Sequence, residues 1–172
     1  GDPLPEAEPP PGLVLPELTE AAALARWDTF RHEGLASYAD LRNRPDLEAT
    51  SGLSADLRWG LLHPRTLLAD LDDSAEHQGF ARQLAWREFY ADVLLHAPGS
   101  ARANLDARFD TMRVDSGAQA QARLRAWQDG RTGYPFVDAG MRQLRGEGWM
   151  HNRLRMVVAS FLVKDLHLWW GD

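Results

Sequence analysis

From Ser74 to Ala97 the sequence reads SAEHQGFARQLAWREFYADVLLHA, and its apolar residues keep a single period. Trp86, Phe89, Tyr90, Val93, Leu94 and Ala97 fall at i, i+3, i+4, i+7, i+8 and i+11. An α-helix gathers those positions on one face, whereas the two-residue period of a strand scatters them over both. Ser74 is placed to cap such a helix, and PGS at 98–100 to end it. The stretch therefore commits this part of the chain to a long amphipathic helix.

Helix signals dominate the rest of the chain. Thr19 can cap LTEAAALARWDTFRHEG, and Gly34 stands where that helix would stop. Pro64 can open PRTLLADL as a first-turn proline. A short helix is expected over 120–129, DGRTGYP at 129–135 reads as a turn, and Pro135 can start PFVDAGMRQLRG. Gly146 and Gly148 then separate it from a last helix, expected from about Trp149 to Trp170. No alternating strand and no internal repeat is evident. The expected fold class is all-α. GDPLPEAEPPPGLVLP at the start holds six of the ten prolines, so residues 1–17 are expected to form an extended linker or arm.

A chain of 172 residues suffices for one domain with its own core. No apolar run approaches the roughly 18 residues of a membrane span, and no secretory-signal pattern opens the sequence. The absence of cysteine excludes disulfides and thiolate chemistry. A cytoplasmic protein is expected. The net charge of −6 hides an asymmetry: residues 1–100 hold 8 basic and 17 acidic side chains, residues 101–172 hold 11 and 8. Nearly all the positive charge is arginine, whose planar fork suits phosphate. The basic half is the favoured place for a phosphate-bearing partner.

Three stretches could carry chemistry. TSGLS at 50–54 offers hydroxyls, a glycine and backbone N–H groups before a helix, which makes either an anion site or a plain cap from Thr50 or Ser54. Tyr38 and Arg42, one helical turn apart, are consistent with a surface pair. In RQLAWREFY, Gln83, Trp86, Arg87 and Tyr90 form one stripe of amide, indole, guanidinium and phenol. Such a stripe can stack bases and hold phosphate, or it can simply be a helix edge where core meets solvent. In GWMHNRLRM, Trp149, Asn152, Arg153 and Met156 share one face of the expected last helix, with Arg155 between it and the apolar face. That polar turn either reaches solvent or borders a cavity with a polar ligand. The six histidines show no ligand spacing, so no metal is expected.

Five pieces together resemble the flavin-binding helical domain of the DNA photolyase/cryptochrome family. They are Y-x-x-x-R-N-x-P (38–45), TSGLS (50–54), QLAWREFY (83–90), AWQDGRTGYPFVDAGMRQL (126–144) and GWMHNRLRMVVASFLVKDL (148–166). The resemblance implies FAD bound inside the helical domain. Light excites the reduced flavin, which lends an electron to a pyrimidine dimer; the dimer splits and the electron returns. Thr50, Ser51 and Ser54 match the phosphate-binding hydroxyls, Leu53 a backbone contact, and Tyr38 and Arg155 flavin-contacting side chains. Trp86 matches the tryptophan that stacks on the flipped-out dimer. Asn152 matches the asparagine on the substrate side, Arg153 a DNA-phosphate contact and Met156 a residue of the dimer pocket. Arg42, Arg87 and Trp149 join the expected DNA-facing set, and Trp170 matches the middle electron-relay tryptophan. UV-damaged DNA carrying pyrimidine dimers is the implied partner, and Met156 within HNRLRM points to cyclobutane dimers rather than (6-4) lesions.

The chain also departs from that pattern. Dimer photolyases commonly place a glutamate where this chain has Gln83. The surface relay tryptophan falls near Val114, and the flavin-proximal one past Asp172. On this likeness residues 18–172 read as an incomplete FAD-binding domain of a longer photolyase. Alone, it is expected to bind FAD weakly or not at all and to lack repair activity. An antenna pigment would belong to a domain outside the chain, and an exposed apolar cleft could drive association. A cryptochrome-like photoreceptor and a non-catalytic helical DNA-binding module are the competing readings.

Overall fold

The computed structural model describes Leu13 and residues 15–171; most of the expected proline-rich arm lies outside the described residues. Among the described residues there is no strand, as the helical periodicity requires, and no helix is long and apolar enough to cross a membrane. The described residues form two compact units, one over 17–110 and the other over 111–171 with Leu13, Leu15 and Pro16.

In the unit over 17–110 the first helix, α1 (Glu20–Glu33), starts where Thr19 Oγ1 accepts from the Ala22 N–H at 3.2 Å. Gly34 ends it, and there a Cβ would lie 2.8 Å from the Phe30 ring. Helix α2 (Leu35–Leu41) follows at once, and α3 (Ser54–Trp59) stops at Gly60 in the left-handed region, φ 75°. Helix α4 (Pro64–Ala69) begins with its proline, and His63 Nδ1 accepts from the Arg65 N–H at 3.1 Å. The long helix α5 (Ala75–His96) is capped by Ser74, as expected, and gives way to a 3₁₀ turn at Pro98–Ala101. Trp27, Phe30, Tyr38 and Phe80 form an aromatic core, with Trp27 stacked on Phe80 at 5.4 Å and Tyr38 edge-on to both Phe30 and Phe80. The Trp27 indole N–H donates to Asp70 at 2.7 Å, which satisfies its one polar atom.

The face of α5 that packs is not the one with the longest apolar run. Gly79, Phe80 and Leu84 are buried, while Trp86, Phe89, Tyr90 and Leu94 are exposed. Periodicity marks a face as apolar but does not say what covers it.

One buried ion pair ties α1 to α3. Asp56 is 2% exposed and receives Arg26 Nη2 at 2.5 Å and Nε at 3.2 Å. Asp56→Ala would leave that guanidinium facing a partly buried site without its counter-charge. Stability is expected to fall by about 2–3 kcal/mol, read as a lower urea midpoint at unchanged slope.

The second unit holds α6 (Ala118–Gln128), α7 (Pro135–Glu147) and α8 (Asn152–Ser160). Val137, Met141, Met150, Leu154, Val158 and Phe161 form its core. Gly140 lets α7 approach α8, since a Cβ there would meet Val158 Cγ1 at 3.2 Å. The Trp127 indole donates to the Val158 carbonyl at 3.0 Å. The turn before α7 is closed by Asp138, whose carboxylate accepts from the Thr132 N–H and hydroxyl and from the Gly133 N–H.

The single helix expected over 149–170 is shorter at both ends. The buried His151 takes the cap position, with Nδ1 accepting from the Arg153 N–H at 3.1 Å, so Trp149 and Met150 precede the helix. At its other end α8 widens into a π turn at Phe161–Asp165, where the Leu166 N–H reaches back to the Phe161 carbonyl. His167 then turns with φ 53°, a conformation rare outside glycine.

Candidate functional site

The residues singled out from the sequence divide between the two units. In the first, Tyr38 sits in the aromatic core at 8% exposure, so it is not half of a surface pair. Burial pushes its phenol up, partly offset by the Arg42 charge. Arg42 lies with its guanidinium carbon 5.6 Å from the Tyr38 ring centroid and donates to Gln83 Oε1 at 3.1 Å. Tyr38, Arg42 and Gln83 thus meet where α2 packs on α5. One turn further along α5, Trp86 is 53% exposed. Its ring stacks on Tyr90 at 6.0 Å, and Phe89 stands edge-on to both at 5.3 and 5.4 Å. The rings brace one another while leaving faces open. Arg87 beside them pairs with Glu88 and donates to the Leu57 carbonyl at 3.3 Å, which anchors it to α3.

The TSGLS turn does not use Thr50 or Ser54 as a cap. Leu53 occupies the cap position of α3 with no side-chain hydrogen bond, and Ser51 Oγ accepts from the Leu53 N–H at a long 3.5 Å. Gly52 turns with φ 67°, and a Cβ there would meet nothing within 4 Å. The turn therefore presents uncapped N–H groups and hydroxyls beside open space, the chemistry of an anion cradle.

In the second unit Asn152, Arg153, Arg155 and Met156 are exposed on α8, so the polar turn reaches solvent. Arg155 Nε donates to the Met150 carbonyl at 2.9 Å, which orients its side chain. Trp149 does not share their helical face; it is half-buried, edge-on to His151 at 6.3 Å. Trp170 lies against Trp169 with ring centroids 5.1 Å apart. Sequence reasoning passed over three features. Phe89 belongs to the open ring cluster with Trp86 and Tyr90, Asp138 organises the 129–134 turn, and His151 is a buried cap. Asp138 had a legible signal: an acid three residues into a helix that follows a Thr-Gly turn can bond back to it.

The helical fold is shared with solved photolyases and cryptochromes. A bacterial class III photolyase from Agrobacterium tumefaciens superposes with a TM-score of 0.81 at 38% identity, covering 89% of this chain and 32% of that one. A cryptochrome from Synechocystis does so with a TM-score of 0.79 at 32% identity, covering 89% and 33%. The chain belongs to the family of the FAD binding domain of DNA photolyase, whose model matches residues 80–172. It is 44% identical to the deoxyribodipyrimidine photo-lyase of Halobacterium salinarum over 93% of this chain and 35% of that protein. With the Escherichia coli deoxyribodipyrimidine photo-lyase it shares 43% identity over 89% and 34%. The chain thus spans about a third of the length of the curated relatives it matches.

Proposed function

We propose that this chain, its residues 18–172, forms part of the FAD-binding domain of a cytoplasmic, light-driven DNA repair enzyme that splits cyclobutane pyrimidine dimers. The observation that carries this reading is Trp86, an indole half open to solvent on a helix that Phe80 and Leu84 anchor in the core. Base-on-aromatic stacking contributes about 1–3 kcal/mol, and extruded bases need such a shelf. The names of the relatives at 43–44% identity support the lesion class.

The residues fit the cofactor. The open turn at Gly52 and the start of α3 suit a diphosphate, since the Leu53 side chain makes no cap and only the long 3.5 Å bond from the Leu53 N–H to Ser51 Oγ occupies the turn. In the unit over 17–110, Thr50, Ser51, Ser54 and the Leu53 backbone would hold the phosphates and Tyr38 is the flavin-contact candidate; in the other unit the candidates are Asn152 and Arg155. FAD, when bound, supplies the light-driven electron to the lesion. Trp170 is the chain's own candidate for relaying an electron to the flavin. For the DNA, the first unit supplies the stacking face of Trp86, the amide of Gln83 and the charge of Arg42 and Arg87, and the second unit supplies Asn152 and Arg153. Trp149 and Met156 add apolar lining.

A second reading, a cryptochrome-like photoreceptor, is favoured by Gln83, since an amide cannot share a proton as a carboxylic acid can. Illumination of the full-length, FAD-loaded protein with a thymine-dimer oligonucleotide separates the two. Blue light is expected to restore the intact thymines, with no change in the dark. Flavin photochemistry without repair would support the photoreceptor instead. The 172-residue polypeptide alone, a third of the length of its relatives, is expected to copurify with little FAD; stoichiometric flavin absorbance would overturn that.

A further inference from the structure

Helix α8 begins on a buried platform of two residues. Met150 and His151 are each 2% exposed, whereas Asn152, Arg153, Arg155 and Met156 beyond them are open to solvent. Three hydrogen bonds join the platform to that turn. His151 Nδ1 accepts from the Arg153 N–H at 3.1 Å, the His151 carbonyl from the Arg155 N–H at 3.0 Å, and the Met150 carbonyl from Arg155 Nε at 2.9 Å. The last is the one side-chain hydrogen bond of Arg155 among the described residues, so the aim of its guanidinium depends on where the platform sits.

The role of the ring follows from its chemistry. A backbone N–H only donates, so Nδ1 presents its lone pair and the ring is neutral, with its proton on Nε2. Helix caps are usually Ser, Thr, Asp or Asn. Serine or threonine would leave the space of the ring empty beside Trp149, which stands edge-on to it at 6.3 Å. Aspartate would bury a charge. Histidine joins a neutral acceptor to enough ring to fill the site. His63 caps α4 in the same way, with Nδ1 accepting from the Arg65 N–H at 3.1 Å, but it is exposed. His63 is a local cap at the surface, whereas His151 is set in the core and passes that fixed position to the turn it caps.

We propose that His151 is a positioning residue for Asn152 and Arg155. Its Nδ1 lone pair fixes the first turn of α8, so that the amide and the guanidinium are held toward FAD in one arrangement. The proposal rests on reading Asn152 and Arg155 as cofactor contacts.

The test uses the full-length, FAD-loaded protein. It reads the FAD dissociation constant and the visible circular dichroism of the bound flavin beside the urea midpoint. Asparagine carries Oδ1 where histidine carries Nδ1, while glutamine places its amide where Nε2 would be. His151→Asn is therefore expected to keep FAD affinity within about 2-fold and the flavin dichroism unchanged, although the lost ring volume lowers the urea midpoint. His151→Gln and His151→Leu fill the site but offer no acceptor at that point. They should weaken FAD binding about 5-fold and alter the dichroism. His63→Leu should lower the urea midpoint alone. An asparagine variant as impaired as the leucine one, or a leucine variant with wild-type affinity and dichroism, would overturn the proposal. The same flavin losses in His63→Leu would overturn it too, because general destabilisation would then explain them. A second measurement needs only the wild type and the asparagine variant. The histidine ¹⁵N signals that vanish in His151→Asn should include a pyridine-like Nδ1, and a protonated Nδ1 there would overturn the proposal even if the glutamine and leucine variants fail to fold. A wild-type protein that binds no FAD would instead sink the functional reading beneath it.

Discussion

Trp86→Ala is expected to weaken dark binding of dimer-containing DNA by about 5- to 150-fold in the full-length, FAD-loaded protein. The range converts the 1–3 kcal/mol of one lost base-stacking face. The substitution removes a ring that is 53% exposed, so the fold is expected to lose little, about 0.5 kcal/mol or somewhat more. What it does lose comes from the stack on Tyr90 and the edge of Phe89. Trp86→Phe should recover most of the affinity, because it keeps a π face at the same place on α5. Affinity for undamaged duplex should barely move, since phosphate contacts set it. An equal loss on damaged and undamaged DNA would show that Trp86 is a general surface contact and not a lesion shelf.

The largest effect on stability is expected at Asp138. Its carboxylate is 5% exposed and gathers three donors from Thr132 and Gly133 at 2.6–3.0 Å, with Arg142 Nη2 at 4.0 Å. Asp138→Ala leaves those donors without their acceptor and frees the turn that sets the start of α7. A loss of about 3–4 kcal/mol is expected. The acid dependence follows from the same contacts. Burial alone would raise the carboxyl, but the bonds from Thr132 and Gly133, with the Arg142 charge, hold it below its ordinary 3.8. A group depressed in the folded state stabilises above its unfolded pKa and loses that contribution as pH falls through the folded value. The stability gap between wild type and Asp138→Ala should therefore be constant above about pH 5 and shrink below about pH 4. Asp115 and Asp129 are depressed as well, by Arg113 and Arg131 first, so only the difference between the two curves isolates Asp138. A gap that persists unchanged at low pH would show that Asp138 acts through shape and not through its charge.

Much of the local structure was legible because it depends on local chemistry. Thr19 and Ser74 cap the helices they were expected to cap, Pro64 and Pro135 begin theirs, and Gly34 ends one. These are contacts within a few residues, and residue type is enough to read them. The start of α8 escaped because histidine is an unusual cap, and its ring could equally have been a core or surface group. The π turn after Ser160 carries no residue that marks it. It follows from where Phe161, Leu162 and Leu168 find burial.

The candidate site divides along the same line. Residue types and spacing were enough to nominate the TSGLS turn, the Gln83–Trp86–Arg87 stripe and the polar turn of GWMHNRLRM. By itself the sequence determined a chain of capped helices, the absence of thiol chemistry and, through its long motifs, the family. Tertiary structure alone decided which face of each helix is covered. The most regular apolar face of α5 is left open while Phe80 and Leu84 are buried, and Tyr38 enters the core. It also decided that Arg42, 41 residues from Gln83, donates a hydrogen bond to that amide. The physical reason is that burial and pairing across long sequence separations depend on the whole packing arrangement. A period in the sequence records only the angle at which a side chain leaves its helix.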